Sequence, residues 1–302
     1  MELIKTNRLQ LVKCFRSLYS SFSSAGSNQT KEDIRKANLL ARGLPKVKPI
    51  PGVKEIILVS SGKGGVGKST VAVNLAAVLK LIFPHKHIGL LDTDVFGPSV
   101  PLMMNLHDTP VLNKDNMMLP LTNHGIKCMS MGFLIPEDSS VVWRGLMVMQ
   151  ALNKLMWQVH WGTIDYLIVD TPPGTGDTHL SLIQNIPISG VILITTPQTA
   201  SIQVTKRGAS MFQKLNIPII GIVENMSYVK CTSCLEKIKL FGTGTSKLSE
   251  DLGATILASF PLNDEINKSV DVGTPIVVLN KDSETTFQFQ NLAEKIVKNL
   301  IM

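Results

Sequence analysis

The sequence predicts an α/β fold in which a mainly parallel sheet is covered by helices on both faces. Two observations favour this class. Apolar runs of strand length, such as Glu55–Ser60 and Ile88–Asp92, alternate with segments of helical periodicity, such as Thr70–Ile82. The strand-like runs are apolar throughout instead of alternating with polar residues, as expected for strands that are buried on both faces.

The alternation continues to the end of the chain. Residues 105–125 are rich in Asn, Asp and Pro and are predicted to be irregular. Further strands are predicted at Tyr166–Asp170, Gly190–Thr195, Ile217–Val223 and Thr255–Phe260. Further helices are predicted at Gly145–Val159, Ala200–Leu215, Ser246–Leu252 and Thr285–Leu300. We find no internal repeat, so residues 53–302 are predicted to form one domain.

The composition excludes several classes of protein. The chain has 302 residues, of which 44% are hydrophobic and 18% charged, enough for a large core. It has no apolar run of about 18 residues, the length that a membrane-spanning helix requires. The net charge is +7, but aromatic residues make up only 5%, so we expect no nucleic-acid partner. Having only four cysteines argues against a secreted domain held by disulfides.

Residues 1–25 are predicted to be a mitochondrial transit peptide. They are rich in serine and contain four basic residues against Glu2 alone. Their apolar stripe at helical spacing consists of Leu11, Phe15, Leu18 and Phe22. Cys14 would be removed on processing. A disordered basic tail or a surface amphipathic helix is the alternative. Residues 26–52 are predicted to be an extended polar lead-in, because three prolines near its end disfavour a helix.

The segment Gly62–Ser69, between a predicted strand and a predicted helix, has the pattern of a phosphate-binding loop. Its sequence GKGGVGKS matches G-x-x-x-x-G-K-[ST]. Glycines let the backbone approach phosphate, and successive N–H groups and the helix N-terminus surround the oxygens. Lys68 is expected to neutralise the β- and γ-phosphates, and Ser69 to ligate Mg²⁺. The motif predicts binding of ATP and Mg²⁺ in a three-layer P-loop NTPase fold. Arg144 and Arg207 are predicted to be surface charges.

Acidic residues follow two of the predicted strands. Asp170 ends the run YLIVD and is expected to meet Mg²⁺, directly or through water. The next residues, Thr171–Asp177, form a loop that could sense the γ-phosphate. Asp92 and Asp94 end the run IGLLDTD, and one of them could orient or deprotonate the attacking water. Turn or cap chemistry is the alternative for both.

Cys231 and Cys234 form a C-x-x-C pair after the predicted strand that ends at Val223. Thiolates are soft ligands that suit iron–sulfur clusters, Zn²⁺ or Cu(I). A 4Fe-4S cluster usually takes four cysteines, so two chains related by two-fold symmetry would supply them. The pair also fits half a zinc site or a redox dithiol. Cys128, in an apolar context, is predicted to be a small buried side chain.

Together these motifs resemble those of a known family. Lys63 follows the first glycine of the loop, which is typical of the deviant P-loop of the MinD/ParA class. The set SSGKGGVGKST, LLDTDVFGPS, VDTPPGTGD, GIVENMS and CTSC resembles the Mrp subfamily of that class, from about residue 50 to residue 300. The family commonly has a proline within the C-x-x-C, whereas here Thr232 and Ser233 hold the middle positions.

The resemblance implies roles for individual residues. Lys63 would reach the nucleotide of the partner subunit in an ATP-bound homodimer. Asp94 would lie near the attacking water, and Asp170 would be linked to Mg²⁺. Cys231 and Cys234 would hold a 4Fe-4S cluster shared across the dimer. The implied nucleotide ligands are Gly62, Lys63, Gly64, Gly65, Val66, Gly67, Lys68, Ser69, Thr70 and, at the adenine, Asn225.

The function that the resemblance implies is that of an ATP-dependent scaffold or carrier for iron–sulfur clusters. The transit-like N-terminus makes the chain resemble the mitochondrial branch of the family, associated with assembly of respiratory complex I (NADH dehydrogenase). The expected partners are apo iron–sulfur proteins of the mitochondrial matrix, complex I subunits among them. Slow ATP hydrolysis coupled to cluster transfer is expected, although ATP could also be a structural cofactor.

Two other functions stay open at this point. One is a zinc or redox ATPase that uses the cysteine pair without a cluster. The other is a positioning ATPase of the MinD/ParA type, which binds a membrane or DNA. The segment Gln290–Met302 is amphipathic, as a membrane-binding helix would be. A closing helix packed on the core is favoured, so any membrane contact is expected to be peripheral.

Overall fold

The chain from Val47 onward forms one compact unit built around an eight-stranded sheet. The computed structural model describes residues 47–134, 145–174, 176–231 and 233–301. The predicted transit peptide with Cys14, most of the predicted lead-in, and Arg144 lie outside the described residues.

The strands fall into one large sheet and one small hairpin. Along the large sheet their order is β10-β7-β6-β1-β5-β2-β4-β3, and β8 pairs with β9. The strands are β1 (Val53–Ser61), β2 (Ile88–Asp92), β3 (Leu121–Asn123), β4 (Ile126–Ser130), β5 (Ile164–Asp170), β6 (Gly190–Thr195), β7 (Ile219–Glu224), β8 (Val229–Lys230), β9 (Lys237–Ile238) and β10 (Ile256–Ser259).

Helices connect most of these strands. They are α1 (Lys68–Ile82), α2 (Val100–Met103), α3 (Gly145–Trp157), α4 (Asp177–Asn185), α5 (Thr199–Lys214), α6 (Thr245–Leu252), α7 (Asp264–Asp271), α8 (Ile276–Leu279) and α9 (Glu284–Ile301). A single 3₁₀ turn, Met131–Phe133, follows β4.

The central strand β1 marks the point where the winding of the sheet reverses. It pairs in parallel with β5 on one side and with β6 on the other. The chain moves from β1 outward to β2, then returns through β5 and crosses β1 to reach β6 and β7. Parallel crossovers are right-handed, so the two directions place their helices on opposite faces. On one face α1 packs against α8 and α9, and α5 packs against α6 on the other. The predicted α/β fold class is therefore confirmed.

The carboxyl ends of the central strands meet at one edge of the sheet. Asp92 of β2 lies beside Asp170 of β5, and Val59 of β1 lies beside Asp170 on the other side. In open parallel sheets, ligands bind in the crevice at this edge, where the strand order reverses. The fold therefore places the glycine loop after β1 and the predicted acidic residues together.

Both outer strands of the sheet are short. β3, three residues long, is antiparallel to β4. β10, four residues long, lies at the other edge against α9. There the Lys295 ammonium group of α9 donates to the Leu257 carbonyl of β10 at 2.7 Å.

Several elements were not predicted. The strands β3 and β4, the hairpin β8–β9 and the helices α2, α4, α7 and α8 fall in segments to which no element was assigned. β3 lies within residues 105–125, so the prediction that this whole segment is irregular is wrong there. The compact unit also begins at Val47, before the predicted start at residue 53. The Ile50 side chain is buried there, and the Lys48 N–H donates to the Asn185 carbonyl at 2.8 Å, so the end of the lead-in is part of the packed unit.

The C-terminal helix packs on the core, as predicted. The buried side of α9 consists of Thr285, Thr286, Phe289, Leu292, Ala293 and Ile296. Phe289 stacks on Phe260 with 4.2 Å between ring centroids. Among the described residues, we find no helix that combines the length and the apolar character needed to cross a membrane.

Candidate nucleotide and cysteine sites

The glycine loop lies between the end of β1 at Ser61 and the start of α1 at Lys68, as predicted. Gly65 and Gly67 have φ of 77° and 84°, a region that favours glycine. A Cβ on Gly67 would lie 2.1 Å from the Asn225 amide nitrogen. The loop is thus packed closely at Gly67, whereas a Cβ on Gly64 or Gly65 would meet no atom within 4 Å. Ser69 and Thr70 occupy the first turn of α1 and are half-buried.

Asn225 follows β7 and contacts the loop from the side. Its amide group donates to the Val66 carbonyl at 2.8 Å, and the residue is buried. This contact, which the sequence did not predict, supports the loop itself. The predicted contact of Asn225 with adenine stays a prediction.

Lys68 and Asp170 form a buried ion pair. The Lys68 ammonium group lies 2.6 Å from Asp170 Oδ1 and 3.3 Å from the Ser69 hydroxyl. Both side chains are almost fully buried. Burial raises the pKa of the Asp170 carboxyl, and the adjacent Lys68 opposes this effect. The two predicted phosphate-site residues are therefore brought together by strands β1 and β5.

The second carboxylate oxygen of Asp170 is free to bind a cation. Asp170 Oδ2 is buried and has no hydrogen-bond partner among the described residues. A buried polar atom without a partner is costly, and such an atom in a native protein often marks a ligand site. A carboxylate oxygen beside a serine hydroxyl is a donor set that suits Mg²⁺. The residues present thus fit the predicted Mg²⁺ site.

Asp92 and Asp94 differ in their surroundings. The Asp92 carboxylate is fully buried and accepts hydrogen bonds from the N–H groups of Asp94, Ser99 and Val100 and from the Ser130 hydroxyl, at 2.9–3.3 Å. Asp94 is half-buried and accepts only the Gly97 N–H, at 3.3 Å, among the described contacts. Cap chemistry therefore accounts for Asp92, and Asp94 is the one able to meet a water molecule. Burial and the neighbouring Asp170 raise the pKa of Asp92 to about 7.

The segment after Asp170 is tied to β1, the strand that leads into the phosphate loop. The Thr171 N–H and hydroxyl group donate to the Val59 carbonyl at 3.2 and 3.0 Å, and the Gly174 N–H donates to the Ser61 carbonyl at 3.0 Å. Thr175 lies outside the described residues. These bonds join the predicted sensor loop to the strand that leads into the glycine loop.

His179 of α4 is a residue that the sequence analysis did not single out. Its ring is buried, with Nε2 3.4 Å from the Ser60 hydroxyl and the ring edge against Phe212 at 5.6 Å between centroids. Burial lowers the pKa of His179 to about 4, against the opposite effect of the Pro172 and Gly174 backbone. The neutral imidazole therefore contacts β1 through Ser60, and its Nδ1 has no hydrogen-bond partner among the described residues.

Lys63 faces solvent, whereas Lys68 is buried. It is exposed at the tip of the loop, and it forms none of the ion pairs found among the described residues. Its carbonyl accepts the Ser61 hydroxyl at 3.0 Å, which holds the backbone in place. The exposed ammonium group is thus available to a molecule outside this chain. Arg207 is exposed on α5, as predicted.

The cysteine pair lies in the loop of the β8–β9 hairpin. Cys231 directly follows β8, its N–H donates to the Glu236 carbonyl at 2.9 Å, and its carbonyl accepts the Leu235 N–H at 2.9 Å. Cys231 is half-buried and Cys234 exposed, while Thr232 lies outside the described residues. The apolar side chains exposed on the same hairpin are Leu235, Ile238 and Leu240.

The local backbone favours the thiolate form of Cys231. The N–H groups of Cys234 and Ser233, then the Cys234 thiol, hold the pKa of Cys231 below its usual value. By contrast, burial raises the pKa of Cys128, which is enclosed in β4 as predicted. In the described part of the chain, no three His, Cys, Asp or Glu side chains are grouped so that they could hold a metal ion. Among the described residues, one chain therefore supplies the half-buried Cys231 and the exposed Cys234, with no third ligand grouped beside them.

A cavity of about 550 Å³ lies at the root of the hairpin. Its walls are Val229 and Lys230 of β8, residues 261–265 after β10, and residues 282–285 with Asn280 and Gln288 at the start of α9. The segment after β7 connects it to the glycine loop, because Asn225 contacts Val66 and the Ser227 N–H donates to the Phe260 carbonyl at 2.8 Å. The sequence analysis missed this cavity, which long-range contacts form.

The fold and this site define a P-loop NTPase of the MinD/ParA class. A glycine loop with Lys63 and Lys68 follows the central strand, and acidic residues end the neighbouring strands. A family model described as ParA: NUBPL iron-transfer P-loop NTPase matches residues 52–297, and the chain belongs to that family. The resemblance that the motifs indicated is thereby confirmed.

Named relatives agree with this assignment. The chain is 50% identical over 267 residues to the mouse iron-sulfur cluster transfer protein NUBPL, covering 88% of this chain and 84% of the relative. It is 48% identical over 250 residues to an Arabidopsis thaliana iron-sulfur protein required for NADH dehydrogenase, mitochondrial, covering 82% and 80%.

Solved structures show the same fold. A nucleotide-binding protein from Archaeoglobus fulgidus, in complex with ADP, superposes with a TM-score of 0.68 at 30% identity, over 87% of this chain and 98% of that one. The Pyrococcus furiosus cell division ATPase MinD superposes with a TM-score of 0.59 at 19% identity, over 81% and 98%. Because the identity to MinD is only 19%, that similarity concerns the fold alone.

Proposed function

We propose that this chain is an ATP-binding carrier of 4Fe-4S clusters that acts as a homodimer in mitochondria. The observation that carries the proposal is the presence of a phosphate-binding loop and of a solvent-accessible cysteine pair at one edge of the sheet. The relatives named as iron-sulfur cluster transfer proteins support the cargo. The residues present support each half of the proposal separately.

The nucleotide half uses the glycine loop and its acidic neighbours. The phosphates would lie against the loop N–H groups and the Lys68 ammonium group, which would then exchange Asp170 for phosphate oxygens. Ser69 and Asp170 would hold Mg²⁺, which supplies positive charge to the phosphate oxygens when bound. Asp94 would orient the attacking water, and the cavity beside the Asn225 segment would receive the base and ribose. Slow ATP hydrolysis follows if these groups act together.

The cysteine half requires a second chain. A 4Fe-4S cluster is held by four thiolates, and each chain supplies Cys231 and Cys234. A two-fold dimer brings the two pairs together. The exposed Lys63 is suited to the same dimer, because it could reach the partner's nucleotide. A cluster held between two exposed hairpins is accessible to an acceptor protein, as a transferred cargo must be.

The other uses of a C-x-x-C pair find less support. The four thiolates of a dimer would also complete a zinc site, so it is the relatives named as iron-sulfur proteins that favour the cluster. A thioredoxin-like dithiol would open a helix in a βαβ unit, and this pair does not. A membrane-positioning role finds little support, since the apolar face of α9 packs on the core.

The recipients and the compartment are part of the proposal. The Arabidopsis relative is named as required for NADH dehydrogenase and as mitochondrial. We propose apo iron–sulfur proteins of the mitochondrial matrix, complex I subunits among them, as recipients. Residues 1–25, basic and rich in serine, would direct the chain there.

The test is cluster reconstitution under anaerobic conditions. We expect about two irons and two acid-labile sulfides per chain, which corresponds to one 4Fe-4S cluster per dimer. The Cys231→Ala/Cys234→Ala variant should bind none, and the matched control Cys128→Ala, at the buried cysteine, should load like the wild type. No iron in the wild type, or equal iron in the double variant, would show that the pair does not bind a cluster. Zinc in the purified protein, lost in the double variant, would favour the zinc alternative.

A further inference from the structure

The cysteine hairpin and the cavity share a wall. Val229 and Lys230, the two residues of β8, line the cavity, and Cys231 is the next residue of the chain. A molecule that contacts this wall of the cavity therefore lies against the residues that lead directly into the first thiol.

The hairpin has little stability of its own. Its ladder pairs Val229 with Ile238 and Lys230 with Lys237, and one further bond runs from the Cys231 N–H to the Glu236 carbonyl. A two-stranded hairpin alone is marginally stable in water, even when longer than this one. The position of the cysteine pair must therefore be set by contacts at the root of the hairpin.

Tyr228 provides the first of these contacts. It is buried, its carbonyl accepts the Leu262 N–H at 2.8 Å, and its hydroxyl accepts the Gln288 amide at 3.3 Å. The Lys237 ammonium group lies 4.6 Å from the centroid of the Tyr228 ring, in the range of cation–π attraction. Leu262 and Gln288 belong to the cavity walls, so the root of the hairpin is held by the walls themselves.

The second contact is an ion pair at the cavity wall. The Lys230 ammonium group pairs with the carboxylate of Glu284, the first residue of α9. Both residues line the cavity, Lys230 from β8 and Glu284 from the start of α9. A ligand that contacts this pair or separates it acts on the residue before Cys231.

We propose that the Lys230–Glu284 pair couples nucleotide occupancy of the cavity to the position of the cysteine pair. This inference rests on the nucleotide binding proposed above. Lys230 and Glu284 are positioning residues, which act on Cys231 through β8. A bound base and ribose add contacts to both walls and hold the hairpin in one geometry. Because such coupling is reciprocal, a cluster held by the cysteines would raise nucleotide affinity by the same factor.

The test measures how fast the reduced cysteines react in protein that carries no cluster. The rates of alkylation of Cys231 and Cys234 by iodoacetamide are followed by mass spectrometry, with and without saturating Mg-ADP. We expect ADP to slow alkylation of Cys231 by about fivefold or more in the wild type. Lys230→Gln and Glu284→Gln should each lose most of this effect, and the charge swap Lys230→Glu/Glu284→Lys should recover it.

A matched control lies elsewhere on the surface. Lys206 and Asp251 form a similar exposed ion pair, at 2.6 Å between α5 and α6, and Lys206→Gln should keep the full ADP effect. ADP affinity is measured separately for every variant by titration. A wild type that does not bind ADP would contradict the proposed function, and this inference with it. A wild type that binds ADP without slowed alkylation, single variants that keep the effect, or a charge swap that does not recover it would overturn the coupling alone.

Discussion

At the scale of single residues, Lys68 and Asp170 neutralise each other inside the protein. Their charged atoms are 2.6 Å apart and almost wholly buried, so neither could be removed without leaving the other uncompensated. The same two groups are those that phosphate and Mg²⁺ would engage. Under the proposed function, nucleotide binding would therefore exchange one set of charge partners for another.

A double-mutant cycle tests this pair. In protein stripped of nucleotide, Lys68→Met and Asp170→Asn should each lower the free energy of unfolding by about 3 kcal/mol, because each leaves the charge of the other residue buried and unpaired. Lys68→Met/Asp170→Asn should lose clearly less than the sum of the two, because it leaves no unpaired charge. Urea denaturation measures all four proteins. Additive losses would show that the pair does not interact.

His179 predicts a pH dependence of stability. Its pKa is about 4 in the folded chain and about 6.5 when unfolded, so the unfolded state takes up the proton first as the pH falls. The stabilisation is present above pH 6.5 and is lost towards pH 4. Between pH 7 and pH 5 the wild type should lose about 2 kcal/mol through this residue.

The comparison is the variant His179→Gln, in which the loss of unfolding free energy that arises from protonation of His179 should disappear. Urea denaturation at pH 7, 6 and 5 gives, for each protein, the slope of the free energy of unfolding against pH. His107→Gln, at an exposed histidine, should keep the wild-type slope. An unchanged slope in His179→Gln would mean that another group titrates.

How much of the site the sequence predicts depends on how far apart along the chain the contacting residues lie. The glycine loop and the cysteine pair are local patterns, and their residues lie where the sequence placed them. The bond from Asn225 to Val66 joins residues 159 positions apart, and that from His179 to Ser60 joins residues 119 apart. Such pairings follow from the sheet order, which no local pattern specifies. Likewise, the sequence does not distinguish the roles of Asp92 and Asp94, because the N–H groups that bind the Asp92 carboxylate at the start of α2 become known only from the structure.

At the scale of elements, the strands that are buried on both faces were predictable. β2 and β6 are buried along their whole length, and their sequences are continuous apolar runs. β4 was missed because Lys127 interrupts a five-residue strand. The hairpin β8–β9 is too short and too polar to show a period. α7 could have been found, since Asn263 caps it and Asp264 and Glu265 occupy its first turn.

The packing of α9 gives a prediction at this scale. Phe289 is buried against Phe260, so Phe289→Ala should lower the free energy of unfolding by about 3–5 kcal/mol. Phe287→Ala, two residues earlier on the exposed side, should change it by less than about 0.5 kcal/mol. Urea denaturation measures both. Equal losses would mean that α9 does not pack as described.

At the scale of the whole molecule, the exposed Lys63 and the half-buried Asp94 predict complementation between subunits. Lys63→Gln and Asp94→Asn should each abolish ATP hydrolysis by a homodimer. In an equal mixture, half of the dimers are mixed, and each then has one complete site, formed by Asp94 of one chain and Lys63 of the other.

The measurement is phosphate release after mixing and subunit exchange. We expect roughly a quarter of wild-type activity, since one site in two works in half of the dimers. Lys68→Ala mixed with Asp94→Asn is the control and should stay inactive, because both of those residues serve the nucleotide of their own chain. No recovery in the first mixture would place Lys63 at its own site as well.

The short outer strands of the sheet have a consequence for association. An exposed strand edge can template intermolecular β-pairing and aggregation, and proteins limit this with short or covered edges. β3 offers three residues, and β10 has Lys295 bonded to its Leu257 carbonyl. Concentrated protein should therefore resist amyloid-like self-assembly. The proposed dimer would then pair through the surface that carries the cysteines.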